Sequence, residues 1–211
     1  MTTIRIDFVS DVVCPWCAVG LNALERALEA IGPELSVDLH FAPFELNPNM
    51  APEGEDTTEH LAKKYGISHD QIRANRDALT ARGNEVGFKF ALDKRTRIYN
   101  TFDAHRLLYW AGTEGKQREL KHALLGAYFT DGHDVSQHVV LADAAAAVGL
   151  DRERALAVLA SGQYGDEVRA EEDHFLRAGI RSVPAVILNG KYLVSGGQPA
   201  AVFEAALRQL M

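Results

Sequence analysis

Two cysteines three positions apart, set between two regular hydrophobic patterns, constrain this sequence more than any other feature. They are Cys14 and Cys17, the only cysteines in the 211 residues. The run before them, residues 4–9, alternates apolar and polar side chains like a half-buried strand, and the run after them has apolar residues at helical spacing. Cys-x-x-Cys near a β-α-β pattern is typical of thiol–disulfide exchange. The pair therefore predicts a redox site between a strand and a helix.

The residues around the pair indicate which cysteine reacts first. If a helix begins at Pro15, which suits a first turn because it has no N–H, Cys14 is the N-cap residue and Cys17 the third helical residue. The unpaired N–H groups of that turn and the helix dipole favour a thiolate at Cys14. Such sites lower a thiol pKa from about 8.5 to roughly 3.5–7.5. We therefore predict that Cys14 is the nucleophile, that Cys17 resolves the mixed disulfide, and that Trp16 offers an apolar platform beside the sulfur.

Two other roles for the cysteine pair fit the sequence less well. A structural zinc site needs four ligands, and the sequence has no second cysteine pair. Among its eight histidines, only His133 and His138 have the short spacing of zinc ligands. Buried cysteines can also act as small hydrophobic residues, but a proline between them at a strand-to-helix junction favours catalysis. We expect no metal.

Composition and charge argue against several classes of function. Hydrophobic residues make up 47% of the chain and charged residues 24%, as in ordinary globular proteins. The net charge of −7 argues against nucleic acid or an anionic membrane as the main partner. The N-terminal residues do not resemble a signal peptide, and no apolar run is long enough to span a membrane. These features predict a cytoplasmic protein, where a cysteine pair is more often catalytic than structural.

Strand patterns lie at the two ends of the chain, and helical patterns fill the middle. Residues 4–9 and 35–41 flank a helix that starts at Pro15, and residues 185–188 and 191–194 flank the hairpin signal Asn189-Gly190. The other predicted helices are residues 57–65, 68–82, 100–110, 116–129, 136–148, 151–160, 164–178 and 202–210. The pattern therefore predicts one α/β domain, residues 1–48 and 180–211, split by an all-helical insertion at residues 49–179.

Four stretches in this order resemble the DsbA family of thioredoxin-fold proteins across essentially the whole chain. They are CPWC at 14–17, NTFDAHRL at 100–107, GIRSVP at 179–184 and SGGQP at 195–199. Within that family the chain is most similar to the FrnE-like branch, described as polyketide-biosynthesis dithiol–disulfide isomerases. The resemblance implies an α/β thioredoxin-like fold with a large helical insertion and a thiol–disulfide oxidoreductase or isomerase activity.

The resemblance also implies which residues meet the substrate. Pro184 matches the cis-proline that faces the cysteine pair, and a cis bond there aims the Val183 backbone at a substrate strand. The alternative is an ordinary trans turn before the strand. We expect substrate contacts from five residues: Pro15, Trp16, Val183, Pro184 and His105.

Two residues of the insertion have roles that the sequence leaves open. His105 shares a helical stripe with Phe102 and Tyr109, and such a stripe more often serves packing than ligand binding. Asn100 fits a helix N-cap better than a substrate contact.

Three functions stay open. The first is a disulfide oxidoreductase or isomerase that acts on protein or small-molecule disulfides or thiols, with no bound cofactor and with glutathione open as a co-substrate. Asp7 and Asp11 are then both candidates for moving the Cys17 proton. The second is a glutathione-dependent isomerase or kappa-class-like transferase, although related enzymes typically have serine at the Cys14 position. The third is a redox-independent holdase chaperone. The direction of the redox reaction stays open, as does the choice between monomer and dimer.

Overall fold

A four-stranded sheet made from both ends of the chain forms the centre of the structure, a computed structural model that describes residues 2–211. Its strands lie in the order β2-β1-β5-β6. Their bounds are β1 Thr2–Ser10, β2 Leu35–Pro43, β5 Ala185–Leu188 and β6 Tyr192–Ser195. Strand β1 pairs in parallel with β2 and antiparallel with β5, so the strand that leads to the cysteines is central in the sheet.

Two helices from opposite ends of the chain pack against each other beside this sheet. Helix α1 runs from Pro15 to Ile31 and α9 from Ala200 to Arg208. The predicted bounds of α1 are confirmed: Pro15 is the first residue, and the helix ends at Gly32, whose φ is +70°. Because Ile4, Ile6 and Phe8 of β1 are fully buried, the alternation seen in the sequence faces the core.

The helices between the two halves of the sheet follow the predicted order, with ends that shift by a few residues. They are α2 Thr57–Tyr65, α3 His69–Val86, α4 Phe102–Thr113, α5 Gln117–Gly126, α6 His138–Ala147, α7 Arg152–Ser161 and α8 Gly165–Arg177. Helix α5 continues into a π-helical turn, Ala127–Asp131. Caps explain two of the starts, since Ser68 and Gln71 form the predicted capping box of α3 and Asp56 accepts two N–H groups of α2. None of the helices in the described chain is long and apolar enough to cross a membrane.

The insertion is not all-helical, which corrects the prediction. A short strand β3, Glu55–Asp56, pairs antiparallel with β4, Arg97–Ile98. Two-residue strands are too short to show an alternating pattern, so no sequence pattern predicts them. The α/β thioredoxin-like fold with its helical insertion is otherwise as predicted, and the domain boundaries at residues 48 and 180 stay a prediction.

Candidate active site

The cysteine pair lies at the start of α1, where the sequence predicts it. Cys14 is the N-cap residue, Cys17 lies in the first turn, and both are free thiols with 3% and 0% of their surface exposed. The N–H groups of the first turn of α1 point elsewhere than predicted. Within the described chain no first-turn N–H donates to the Cys14 sulfur, because the N–H groups of Cys17 and Ala18 point to the Cys14 carbonyl oxygen, at 3.1 and 3.4 Å.

The loop before β5 faces the cysteine pair. The Val183–Pro184 peptide bond is cis, as the resemblance implies. The Cys14 thiol donates to the carbonyl oxygen of Val183, with 3.7 Å between Sγ and O. A Cβ atom on Gly20 of α1 would lie 3.1 Å from Cγ of Pro184, so the absence of a side chain there lets the loop approach the helix.

Trp16 forms the exposed edge of the site. Its side chain is 44% exposed beside the buried Cys14 and next to the half-buried Pro15. The ring lies against the SGGQP stretch: a Cβ atom on Gly197 would be 3.2 Å from the ring and 3.0 Å from the Trp16 carbonyl oxygen. A larger residue at Gly197 would therefore displace Trp16.

A buried carboxylate lies behind the cysteines. Asp11 is fully buried, and its oxygens accept the N–H of Leu46 at 2.7 Å and the N–H of Val13 at 3.4 Å. Burial alone would raise the pKa of Asp11, but His105 and the Leu46 N–H lower it below its usual range. Asp11 is therefore held as a fixed negative charge inside the site.

The other candidate acid lies elsewhere. Asp7 forms an ion pair with Arg5 on β1, at 2.9 Å, and its backbone pairs with Ile187 of β5. Of the two acids that the sequence offered, the structure brings Asp11 to the cysteine pair.

His105 reaches the site from inside the protein. It is buried in α4, and its Nε2 lies 3.5 Å from Oδ1 of Asp11. This ring nitrogen has no hydrogen-bond partner among the described residues. The Asn100 side chain accepts the Phe102 N–H at 2.9 Å, although Thr101 rather than Asn100 is the N-cap residue of α4. Substrate contact by His105 stays a prediction, and its observed neighbour is Asp11.

Sequence reasoning missed Lys121 of α5, which is only 1% exposed. Burial lowers its pKa, while the negative charges of Cys17, Asp11 and Cys14 oppose that shift. The signal was present, because Lys121 shares a helical stripe with Leu124, Leu125 and Tyr128, and a lysine on an apolar stripe is unusual.

The environment of Cys17 favours a protonated thiol. Burial raises its pKa well above the usual value, and the hydrogen bond and charge of Cys14 add to that shift. The positive charge of Lys121 and the Asp11 backbone act in the opposite direction. The site therefore holds one cysteine at the N-cap and one that needs help to lose its proton. Within residues 2–211, no three His, Cys, Asp or Glu side chains are grouped to hold a metal ion.

Comparison with known proteins finds relatives that match almost the whole chain. The chain is 37% identical to the solved structure of the probable DsbA oxidoreductase SCO1869 from Streptomyces coelicolor, with a TM-score of 0.90 over 98% of this chain and 89% of that one. It is 28% identical to the uncharacterized protein YwbO of Bacillus subtilis (strain 168), over 97% of this chain and 96% of that one.

A more distant structure shares the fold. The cytosolic disulfide reductase DsbM from Pseudomonas aeruginosa, solved with GSH, is 18% identical, with a TM-score of 0.64 over 97% of this chain and 98% of that one. The family model described as the DSBA-like thioredoxin domain matches residues 5–208. Because that match covers nearly the whole chain, this protein belongs to the DSBA-like thioredoxin domain family.

Proposed function

We propose that this protein is a thiol–disulfide oxidoreductase or isomerase of the FrnE-like branch, acting through Cys14 and Cys17. The observation that carries the proposal is the pair of free cysteines at the start of α1, with the Cys14 sulfur 3.7 Å from the Val183 carbonyl oxygen. The 37% identity to the S. coelicolor protein, described as a probable DsbA oxidoreductase, supports it.

The reaction has two exchange steps. The Cys14 thiolate attacks one sulfur of a substrate disulfide, which forms a mixed disulfide and releases one substrate thiolate. The Cys17 thiolate then attacks Cys14, releases the second substrate thiolate and leaves a Cys14–Cys17 disulfide. The two cysteines are oxidised and the substrate disulfide is reduced to two thiols; attack by a second substrate thiol in place of Cys17 gives isomerisation instead.

The surface around Cys14 suits an extended substrate. The Val183 backbone offers main-chain hydrogen bonds to a substrate strand, and Pro15 and exposed Trp16 supply apolar contact. Main-chain recognition gives affinity with little sequence preference, which fits an enzyme for many disulfides.

The second step requires that Cys17 lose its proton, and Lys121 is the best acceptor. The pKa of Asp11 is lowered, so its carboxylate is a weak base. Burial lowers the pKa of Lys121 and raises that of Cys17, which brings the two groups closer in proton affinity and favours transfer between them. The proton moves to the Lys121 amine, and the negative charge of Asp11 stabilises the resulting ammonium. His105, 3.5 Å from Asp11, acts as a neighbouring group that keeps this carboxyl ionised.

The proposed cytoplasmic location would set the direction of the redox reaction. In a cytosol poised at roughly −220 to −320 mV, a strongly oxidising cysteine pair stays reduced. We therefore propose a cytoplasmic reductase or isomerase rather than an oxidant.

A redox titration of the purified chain in glutathione buffers tests the function. The Cys14–Cys17 state is measured by thiol alkylation and mass spectrometry, with Cys14→Ser as the control. We expect one two-electron transition that the control lacks. A pair that never forms a disulfide would overturn the exchange mechanism and leave glutathione-dependent chemistry on a small molecule or a chaperone role, the latter detected as holdase activity without cysteines.

A further inference from the structure

Strand β2 forms one edge of the sheet, and its outer side is only partly covered. The strand order β2-β1-β5-β6 gives β2 a single neighbouring strand. On the other side of β2, Oε1 of Gln117 in α5 accepts the Phe41 N–H at 3.0 Å, and Nε2 of Gln117 donates to the Phe41 carbonyl oxygen at 3.1 Å. This side-chain amide therefore forms the two hydrogen bonds that the backbone of an added strand would form with Phe41.

Leu39, two residues earlier in β2, has no such cover. Backbone groups alternate between the two sides of a strand, so the N–H and C=O of Leu39 point the same way as those of Phe41, away from β1. No loop or side chain of residues 2–211 forms a hydrogen bond with these two groups. Free backbone groups on a sheet edge are a template for pairing with another strand.

A cavity lies beside this free part of the edge. Its volume is about 460 Å³, and its walls include Leu39 of β2, Tyr109 and Gly112 of α4, and Gln117 of α5. A residue in a sheet occupies about 3.3 × 4.8 × 10 Å, or about 160 Å³, so the cavity has room for about three residues of a strand. A second copy of this chain would bring its own α4 and α5 to the same place, which favours a single peptide strand as the occupant.

One charge on the cavity wall has no partner. Asp38 is exposed and forms no ion pair within the described chain, and Arg5, its neighbour on β1, pairs with Asp7 instead. The other charged side chains of the wall each contact a group of opposite charge: His40–Glu171, Arg118–Glu25 and Glu119–Lys116. Since Asp38 and Leu39 point to opposite faces of β2, a basic residue on the Asp38 face of an added strand would compensate this carboxylate.

We propose that the outer edge of β2 at Leu39 binds an extended segment of a partner protein that is apolar on the Leu39 face and basic on the Asp38 face. The segment adds a short strand next to the position that Gln117 occupies. Main-chain hydrogen bonds supply its affinity, and the pair with Asp38 supplies its preference. None of the cavity residues belongs to the cysteine site, so this interaction is independent of the proposed exchange reaction.

The test is a titration of the isotope-labelled full chain with two short peptides, followed through the NMR signal of the Leu39 amide. Both peptides are acetylated and amidated; one is Thr-Val-Lys-Val-Thr, and the other has Glu in place of Lys. We expect the lysine peptide to shift the Leu39 signal and to slow the exchange of this amide hydrogen with solvent. It should bind about fivefold more tightly than the glutamate peptide.

N-methylated peptides test whether the ligand binds as a strand. One lysine peptide carries methyl groups on both valine nitrogens, and its isomer carries them on the nitrogens of the lysine and the last threonine. Each isomer therefore lacks N–H donors on one side of the strand. One isomer should bind about tenfold more weakly than the other, because it loses hydrogen bonds to Leu39. Equal binding of the two isomers would contradict strand addition.

Two variants with matched controls locate the site. Asp38→Asn should bring the ratio of the two peptide affinities close to one, whereas Asp70→Asn, at an exposed position on α3, should keep the wild-type ratio. Gly112→Gln adds a side chain to the cavity wall and should weaken the binding of both peptides. Gly126→Gln, with nothing within 4 Å of the new Cβ, should leave binding unchanged. If circular dichroism shows that Gly112→Gln does not fold, the Asp38→Asn ratio decides.

The outcomes distinguish this site from the cysteine pair and from self-association. If the lysine peptide leaves the Leu39 signal unchanged, or shifts the signals of Cys14 and Val183 instead, the strand site is overturned while the exchange function stands. A Leu39 signal that changes with protein concentration in the absence of peptide would assign this edge to a second copy of the chain and would also overturn the proposal.

Discussion

The two sides of the cysteine site are built in different ways. The outer side, with Pro15, Trp16 and the Val183–Pro184 loop, comes from residues next to the cysteines and from the loop before β5 of the same sheet. The inner side joins Asp11 to His105 of α4 and Lys121 of α5, both from the insertion. The outer side holds a sulfur and a backbone carbonyl near the surface, whereas the inner side holds charges away from water. In the proposed mechanism, the thioredoxin-like part supplies the exchange chemistry and the insertion supplies the proton handling.

The largest expected effect is on the outer side. Cys14→Ser should abolish disulfide exchange, because a serine hydroxyl is not a nucleophile at neutral pH. Cys17→Ser should still attack but should accumulate the mixed disulfide, visible as an added substrate mass on Cys14. If Cys17→Ser turns over normally and Cys14→Ser forms the adduct, the two roles are reversed.

The second-largest expected effect concerns Lys121, on the inner side of the site. Lys121→Met should slow the release of the mixed disulfide about a hundredfold at pH 7, because a general base contributes at least that much. The rate should recover as pH rises and hydroxide replaces the lysine. Rapid-mixing measurements across pH would show this recovery, with Lys116→Met, at a half-buried lysine just before the same helix, as the control.

A merely structural lysine would give a different result. In that case Lys121→Met would lower stability and leave the pH profile of the release step unchanged.

Removal of the Asp11 charge should affect stability in a pH-dependent way. Because the pKa of Asp11 is lower in the folded state than the unfolded value of about 3.9, its contribution is present above that pH and lost on further acidification. Asp11→Asn should lower the unfolding free energy at pH 7 by about 2 kcal/mol, since the amide keeps an acceptor for Leu46 but loses the charge that faces Lys121. Urea unfolding from pH 7 to pH 2 should show wild type and variant converging in acid; a constant difference would contradict the assignment.

The smallest effect compares two glycines. Gly197→Ala should cost about 1 kcal/mol and move Trp16, because the new Cβ would lie 3.0 Å from the Trp16 carbonyl oxygen. Gly126→Ala, at the end of α5 with nothing within 4 Å of the new atom, should stabilise by about 0.5–1 kcal/mol. Urea midpoints would measure the stability of the two variants, and tryptophan fluorescence would detect the movement of Trp16. Equal shifts of the urea midpoint in the two variants would contradict the role given to Gly197.

Features set by neighbouring residues were predictable. The bounds of α1, the capping box at Ser68 and the turn at Asn189-Gly190, where both residues have positive φ, depend on contacts within a few positions. The resemblance added the cis peptide before Pro184. The short β3–β4 pair was not predictable, since its residues lie about forty positions apart and neither strand shows a period.

By itself the sequence determined the cysteine site: the spacing of Cys14 and Cys17 and the proline between them specify a thiol pair at a helix start, because capping and periodicity are local properties. Only the tertiary structure decided which charges surround that pair. Asp11, His105 and Lys121 come from distant segments and meet only because the insertion folds over the end of β1. Packing removes them from water, and the pKa values of Asp11 and Lys121 are both lowered there. Burial and proximity between distant residues are properties of the fold, so no local pattern records them.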